Sequence, residues 1–233
     1  MLFWGLLMKR RFSTEAAYLL GIVCIAMGVV LMERANFGVS MVVAPAYLLY
    51  RWLSPTWSFF TFGTAEYCLQ AVLLLVMMLV LRRFRLSYLF SFVTAVIYGF
   101  VLDGFMLLGA MLPTDALWLR AVYYVCGMLF CAAGVSAMFH SYISPQAYEL
   151  FVKEVSAHFH VEIHRFKTGY DCVSCLIGIV MSFLIFGLWH FEGVKAGTIL
   201  CALVNGTVIG RFSAFYEKHF TLHDRFPWRK YFS

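Results

Sequence analysis

A chain of 233 residues in which 63% are hydrophobic and only 13% charged cannot clothe a water-soluble domain, because such domains are roughly 45–50% apolar and about 25% charged. The composition excludes a soluble enzyme, a disordered tail and a disulfide-stapled secreted module, and it excludes a nucleic-acid binder despite a net charge of +6. The length suits one membrane domain of about six spans at ~20 residues each.

In chain order, Met1 to Met8 are apolar and precede Lys9-Arg10-Arg11. A signal peptide has the reverse order, charge before apolar core, so no cleavage is expected. Residues 1–15 read as a cytoplasmic N-terminal segment. Span 1 covers residues 16–32. Span 2 covers 67–81, or starts at Thr61 if Glu66 is tolerated. Span 3 covers 86–102 and continues past Asp103 to Leu112. Spans 4, 5 and 6 cover 121–139, 172–191 and 196–210. Each is near the length of a helix crossing ~30 Å of hydrocarbon, and none shows the alternation of a membrane β-barrel. Residues 213–233 mix Lys, Arg, His, Phe and Trp and read as a basic–aromatic tail on anionic lipid.

The basic residues orient the spans. With the N-terminus inside, the inside segments carry 14 of the 18 Lys and Arg, and the outside ones only Arg34, Arg51, Arg120 and Lys195. That bias predicts a multi-pass membrane protein with both termini cytoplasmic. The seven cysteines lie in or beside apolar runs and read as reduced packing residues, the pair Cys172 and Cys175 included.

Two connections are not ordinary loops. Residues 35–53 are apolar but broken by Asn36, Gly38, Ser40 and Pro45; residues 141–155 hold Ser144-Pro145-Gln146 and then Tyr148-Glu149. Each suits a re-entrant half-helix or an interfacial helix. The two coincide in an internal repeat. Met27-Gly28-Val29-Val30-Leu31-Met32 lies over Ala133-Gly134-Val135-Ser136-Ala137-Met138 at an offset of 106, and the segment from Phe62 to Cys68 lies over Phe166 to Cys172 at 104. Val101 to Phe105 lies over Val208 to Phe212 at 107. The expected fold is therefore all-α: six transmembrane helices in two inverted three-helix repeats, residues 16–112 and 117–212, each with a broken segment.

The run Gly28…Ala35-Asn36-Phe37-Gly38-Val39-Ser40 resembles the signature after the first span of the YczE/YitT-like bacterial integral membrane proteins. The resemblance extends through most of the chain, to Gly193-x-x-x-Gly197-Thr198 before the last span. Met41 stands where that family usually has Pro, and Ser144-Pro145-Gln146 replaces a Gly-rich second copy. The resemblance implies a polytopic protein of the bacterial inner membrane, a setting open to a transporter, and it carries fold further than function.

Ionisable residues inside spans cost roughly 2.5–3.5 kcal/mol on insertion scales, so each needs a partner, water or a function. Asp103 stands alone in span 3, either facing a cavity or paired with Arg34, Arg120 or Arg211. Glu66 and Asp171 open spans 2 and 5 at nearly equivalent repeat positions, suited to helix N-termini or to a shared coupling proton. Arg34, with Asn36 and Ser40 at the first break, suits an anion beside unwound backbone. His140, Ser144 and Gln146 occupy the matching region of the second half. These nine residues are the candidate solute contacts. Gln70, Tyr98 and Asn205 read as interhelical hydrogen-bonders, and His158, His160, Glu162 and His164 as a solvated loop rather than a zinc site.

The resulting expectation is a secondary transporter or permease of a small polar or anionic solute, binding between the two breaks near the midplane. The alternatives are a non-transporting membrane scaffold and a substrate-capture subunit of a larger transporter. No P-loop, G-x-S-x-G or H-E-x-x-H occurs, so no enzyme activity, metal or cofactor is expected. The expected partners are the lipid bilayer and the solute, with no nucleic acid. Gly206-x-x-x-Gly210 offers a small-residue face that permits a homodimer.

Overall fold

The computed structural model describes residues 10–187 and 192–226. The apolar start with Lys9, the final residues of the fifth apolar stretch, and the tail end with Arg229 and Lys230 lie outside the described residues. The elements are β1 (Arg10–Ser13), α1 (Thr14–Ala35), α2 (Ala44–Leu53), α3 (Phe62–Leu81), α4 (Leu86–Gly109), α5 (Leu117–Phe139), α6 (Ala147–His158), α7 (Ile163–Phe186), α8 (Ala196–His219) and β2 (Phe220–His223). All helices but α2 and α6 are long and apolar enough to cross a membrane, the make-up of a multi-pass membrane protein. Their outer faces agree: Leu79, Leu107 and Leu184 are each at least 75% exposed. Such a surface is suited to lipid, not water.

Local chemistry sets the boundaries. The Ser13 hydroxyl caps α1 by accepting from the Ala16 N–H, and Asn36 ends it in the left-handed region at φ 56°. Thr61 caps α3 in the same way, so that helix starts ahead of Glu66 and carries it inside. Helix α7 begins at Ile163 rather than Cys172. Lys167 and Asp171 sit one turn apart and pair at 2.9 Å, so together they do not end the helix. Its C-terminal residue is Phe186, followed by Gly187 at φ 95°. Helix α8 runs on to His219, so the segment read as a tail opens as helix. It then becomes a strand whose Phe220 pairs with Arg10, parallel to β1. Residues 10–13 are thereby held beside residues 220–223.

α1 and α5 form the centre. Half or more of each is buried, 56% and 50%, against 28–33% for the other four long helices. They run antiparallel and touch through glycines. A Cβ built on Gly28 would lie 2.6 Å from the Gly127 carbonyl oxygen, and one on Gly134 would lie 2.7 Å from that of Gly21. The contacts exchange under the offset of 106. Gly28 meets Cys131 as Gly134 meets Ile25, and Gly21 meets Met138 as Gly127 meets Met32. In the same way α4 packs on α1 as α8 packs on α5, and α6 on α3 as α2 on α7.

The end where α1 finishes is called the top here, and the end where α5 finishes the bottom. Both broken segments hold a short helix that begins in the interior. The Ala147 N–H, at the start of α6, donates to Gln70 Oε1 inside the bundle at 3.1 Å. Helix α6 then descends to the bottom, where Glu154 meets Arg85 at 3.5 Å. Helix α2 starts beside Gly178 of α7 and rises to the top, where Arg51 pairs with Glu192 at 3.0 Å. Pro45 lies in its first turn, where no N–H is needed. The breaks are anchored alike: Thr198 donates to the Val39 carbonyl at 2.8 Å and Ser91 to the Pro145 carbonyl at 2.6 Å, positions related by 107 and 106.

Candidate functional site

The nine candidate residues do not gather at one place. At the top, Arg34 and Asn36 border a cavity of about 370 Å³ with Arg51, Arg120, Lys195 and Glu192. Glu33 also lies there, so four cations face two carboxylates. Of these four cations, only Arg51 is in an ion pair among the described residues. Arg34 Nη2 donates to the Leu112 carbonyl at 2.8 Å, and its Nε is buried without a partner. Arg120 Nε donates to the Ala35 carbonyl at 2.8 Å and stacks over Phe37. Lys195 Nζ donates to Asn36 Oδ1. Carbonyl dipoles hold these cations in place without neutralising them, so the cavity keeps positive charge for an anionic group.

Ser40 lies deeper, buried, with its hydroxyl directed at Met41 Sδ (3.6 Å) and at Cys201. In the interior, Glu66 is fully buried. Its Oε2 accepts from Tyr148 Oη at 3.0 Å and Gln70 Nε2 at 3.3 Å, while Oε1 has no partner. Because Gln70 also accepts from the Ala147 N–H, this network ends on the N-terminus of α6. The positive end of a helix favours carboxylates there, and Glu149 stands in the same first turn. Asp171 is 1% exposed; its Oδ1 accepts from Lys167 Nζ and its Oδ2 has no partner. Glu149 Oε2 is likewise unpartnered and lies within electrostatic range of Glu66, Lys167 and Asp171. Gln146 is the N-cap of α6, and its Nε2 is buried without a partner. The Ser144 carbonyl accepts from Thr94 Oγ1 at 3.0 Å.

Asp103 stands apart. Its Oδ1 accepts from the Gly63 N–H at 2.8 Å and its Oδ2 from Thr61 Oγ1 at 2.6 Å. It closes the N-terminus of α3, and among the described residues it forms no ion pair with Arg34, Arg120 or Arg211. His140 lies at the bottom, bonded through Nδ1 to the Ser136 carbonyl at 2.8 Å, with Nε2 3.4 Å from Glu217.

The structure thus joins Glu66, Gln146 and the α6 N-terminus, and separately Arg34 and Asn36, with Asp103 and His140 outside both groups. Four members of the buried network are not among the nine: Gln70, read from the sequence as an interhelical hydrogen-bonder, and Tyr148, Glu149 and Lys167. Tyr148 and Glu149 were readable from their place beside the second break, and Lys167 from its four-residue spacing to Asp171.

The model of a family of unknown function (DUF6198) matches residues 12–214. No curated protein and no solved structure matches the chain.

Proposed function

Because the chain belongs to DUF6198, a family of unknown function, we propose its function from the site: a secondary transporter or permease for a small polar or anionic solute, which enters through the top cavity. One observation carries this reading. A cavity of about 370 Å³, lined by Arg34, Arg51, Arg120 and Lys195, adjoins the first break of a helix bundle. Two short helices with interior N-termini, in halves that exchange contacts, are the arrangement in which transporters place their sites. A solute approaching Arg34 and Arg120 would exchange water for fixed cations in a low-dielectric cleft.

The test is counterflow in proteoliposomes, with a panel of small carboxylates, sulfonates and amino acids. At least one anionic member should exchange above protein-free vesicles. Arg120→Gln should lower its apparent affinity roughly tenfold or more, the loss of one charge-assisted hydrogen bond. Binding without exchange would overturn transport in favour of a capture subunit. Exchange indifferent to Arg120 and Arg34 would overturn the entry site.

A further inference from the structure

The bundle holds a second cavity, about 430 Å³, between α5, α7 and α8 on the bottom half. Its walls include Phe139, Leu203 and Ile209, and the Lys167–Asp171 pair borders it. Helix α8 makes the room: Gly206 and Gly210 border the cavity, and a Cβ built on either meets nothing within 4 Å. The volume is in the range of small-molecule sites.

The charge around it is unbalanced. Asp171, with 1% exposure, spends Oδ1 on Lys167 and leaves Oδ2 without a hydrogen bond. Glu149 and Glu66, both buried, follow behind it, each with one carboxylate oxygen unpartnered. Tyr148, Gln70 and the α6 N-terminus serve Glu66 and Glu149, so at the cavity wall Asp171 has Lys167 as its single cation, in an apolar interior where a half-paired carboxylate is costly. A cationic occupant would answer that imbalance. A proton needs no cavity of this size. A metal ion needs several converging ligands, and among the described residues no three His, Cys, Asp or Glu side chains are placed to hold one. An organic cation uses both the charge and the apolar walls.

We propose that the cavity between α5, α7 and α8 binds a primary ammonium compound with a compact hydrocarbon body, its –NH3+ at the Asp171 end of the Lys167–Asp171 pair and its hydrocarbon resting on Leu203 and Ile209. Thr207 and Ser213 also border the cavity and offer hydroxyls to the remaining N–H donors. The assignment concerns binding alone, so it stands or falls independently of flux through the top cavity.

The test uses the full chain in nanodiscs with 3-methylbutylammonium as probe, followed by calorimetric titration and thermal unfolding. 4-Methylpentanoate and tetramethylammonium serve as comparisons, the first lacking the positive charge and the second lacking N–H donors. The primary ammonium should bind saturably and raise the unfolding temperature, with both comparisons at least tenfold weaker. Asp171→Asn should weaken binding at least tenfold. Gly206→Leu, which leaves the ion pair untouched and fills open space, should abolish binding in a protein that unfolds at its normal temperature. The proposal is overturned if 3-methylbutylammonium does not bind, if tetramethylammonium binds equally well, or if binding survives Gly206→Leu, which would mark partition into lipid.

Discussion

Asp103 shows how a single residue changes meaning once its partners are known. Its isolation in an apolar stretch was legible in the sequence, but its partners Thr61 and Gly63 are about 40 positions earlier in the chain and carry no mark of the pairing. Its oxygens serve as a cap for α3. Asn can keep both bonds, because its oxygen accepts from the Gly63 N–H and its amide donates to the Thr61 hydroxyl. Asp103→Asn should therefore leave thermal stability within about 0.5 kcal/mol of wild type, whereas Asp103→Leu should cost about 1–2 kcal/mol, as lost caps do. A solute-binding Asp103 would give a different pattern: Asn and Leu would both abolish ligand binding, and stability would change little. The network at Glu66 behaves as a unit for a similar reason. Tyr148→Phe and Gln70→Leu each remove a donor to the same carboxylate oxygen. Each should cost about 1–3 kcal/mol, and a double-mutant cycle read by thermal unfolding should be non-additive by at least about 0.5 kcal/mol. Additive losses would mean that the two donors act separately.

At the scale of the helix, the close approach of α1 and α5 depends on four glycines that a larger residue cannot replace without moving a backbone. The Cβ of Gly28→Ala would meet the Gly127 carbonyl and Cys131, and that of Gly134→Ala the Gly21 carbonyl and Ile25. Because these contacts exchange between the halves, the two substitutions should destabilise by similar amounts, about 1–3 kcal/mol each. Gly104→Ala, with nothing within 4 Å, should be neutral or stabilise by up to about 1 kcal/mol, since Ala is the better helix former. Unfolding midpoints in heat or in a denaturing detergent would measure all three. A large loss at Gly28 with none at Gly134 would contradict the equivalence. Half of this pattern was readable. Gly28 and Gly134 align at the offset of 106, and so do Gly21 and Gly127, but nothing in a sequence says that Gly28 meets Gly127 and not its own counterpart. The antiparallel crossing decides that. Helix ends were less legible for a physical reason: an uncharged run marks what can sit in hydrocarbon, while a helix can run on beyond it through charges that are paired or exposed. Lys167 with Asp171 extends α7 backwards past the run, and α8 carries Arg211, Glu217 and Lys218 beyond it.

For the whole molecule, the exchange of contacts has a consequence for insertion. Where α1 meets α5 the same glycine contacts recur at both ends of the pair, so this packing gives little preference for either orientation. Charge breaks the tie. Arg82, Arg83 and Arg85 lie between α3 and α4 on the side of the paired strands β1 and β2, while Arg34, Arg51, Arg120 and Lys195 are the cations of the opposite end. The resulting prediction places the top cavity outside and both chain ends in the cytoplasm. In intact cells, a cysteine introduced at Thr114 should react with a membrane-impermeant maleimide above the background of the unsubstituted chain, and one at Arg83 should react only after lysis. If charge and not packing sets orientation, replacing Arg82, Arg83 and Arg85 together by Ala should raise labelling of a cysteine introduced at Val161, between α6 and α7, in intact cells, without lowering the unfolding temperature. If that triple variant keeps a single orientation, packing or the remaining charges determine insertion, and the near-equivalence of the two ends does not extend to the surfaces that meet the membrane.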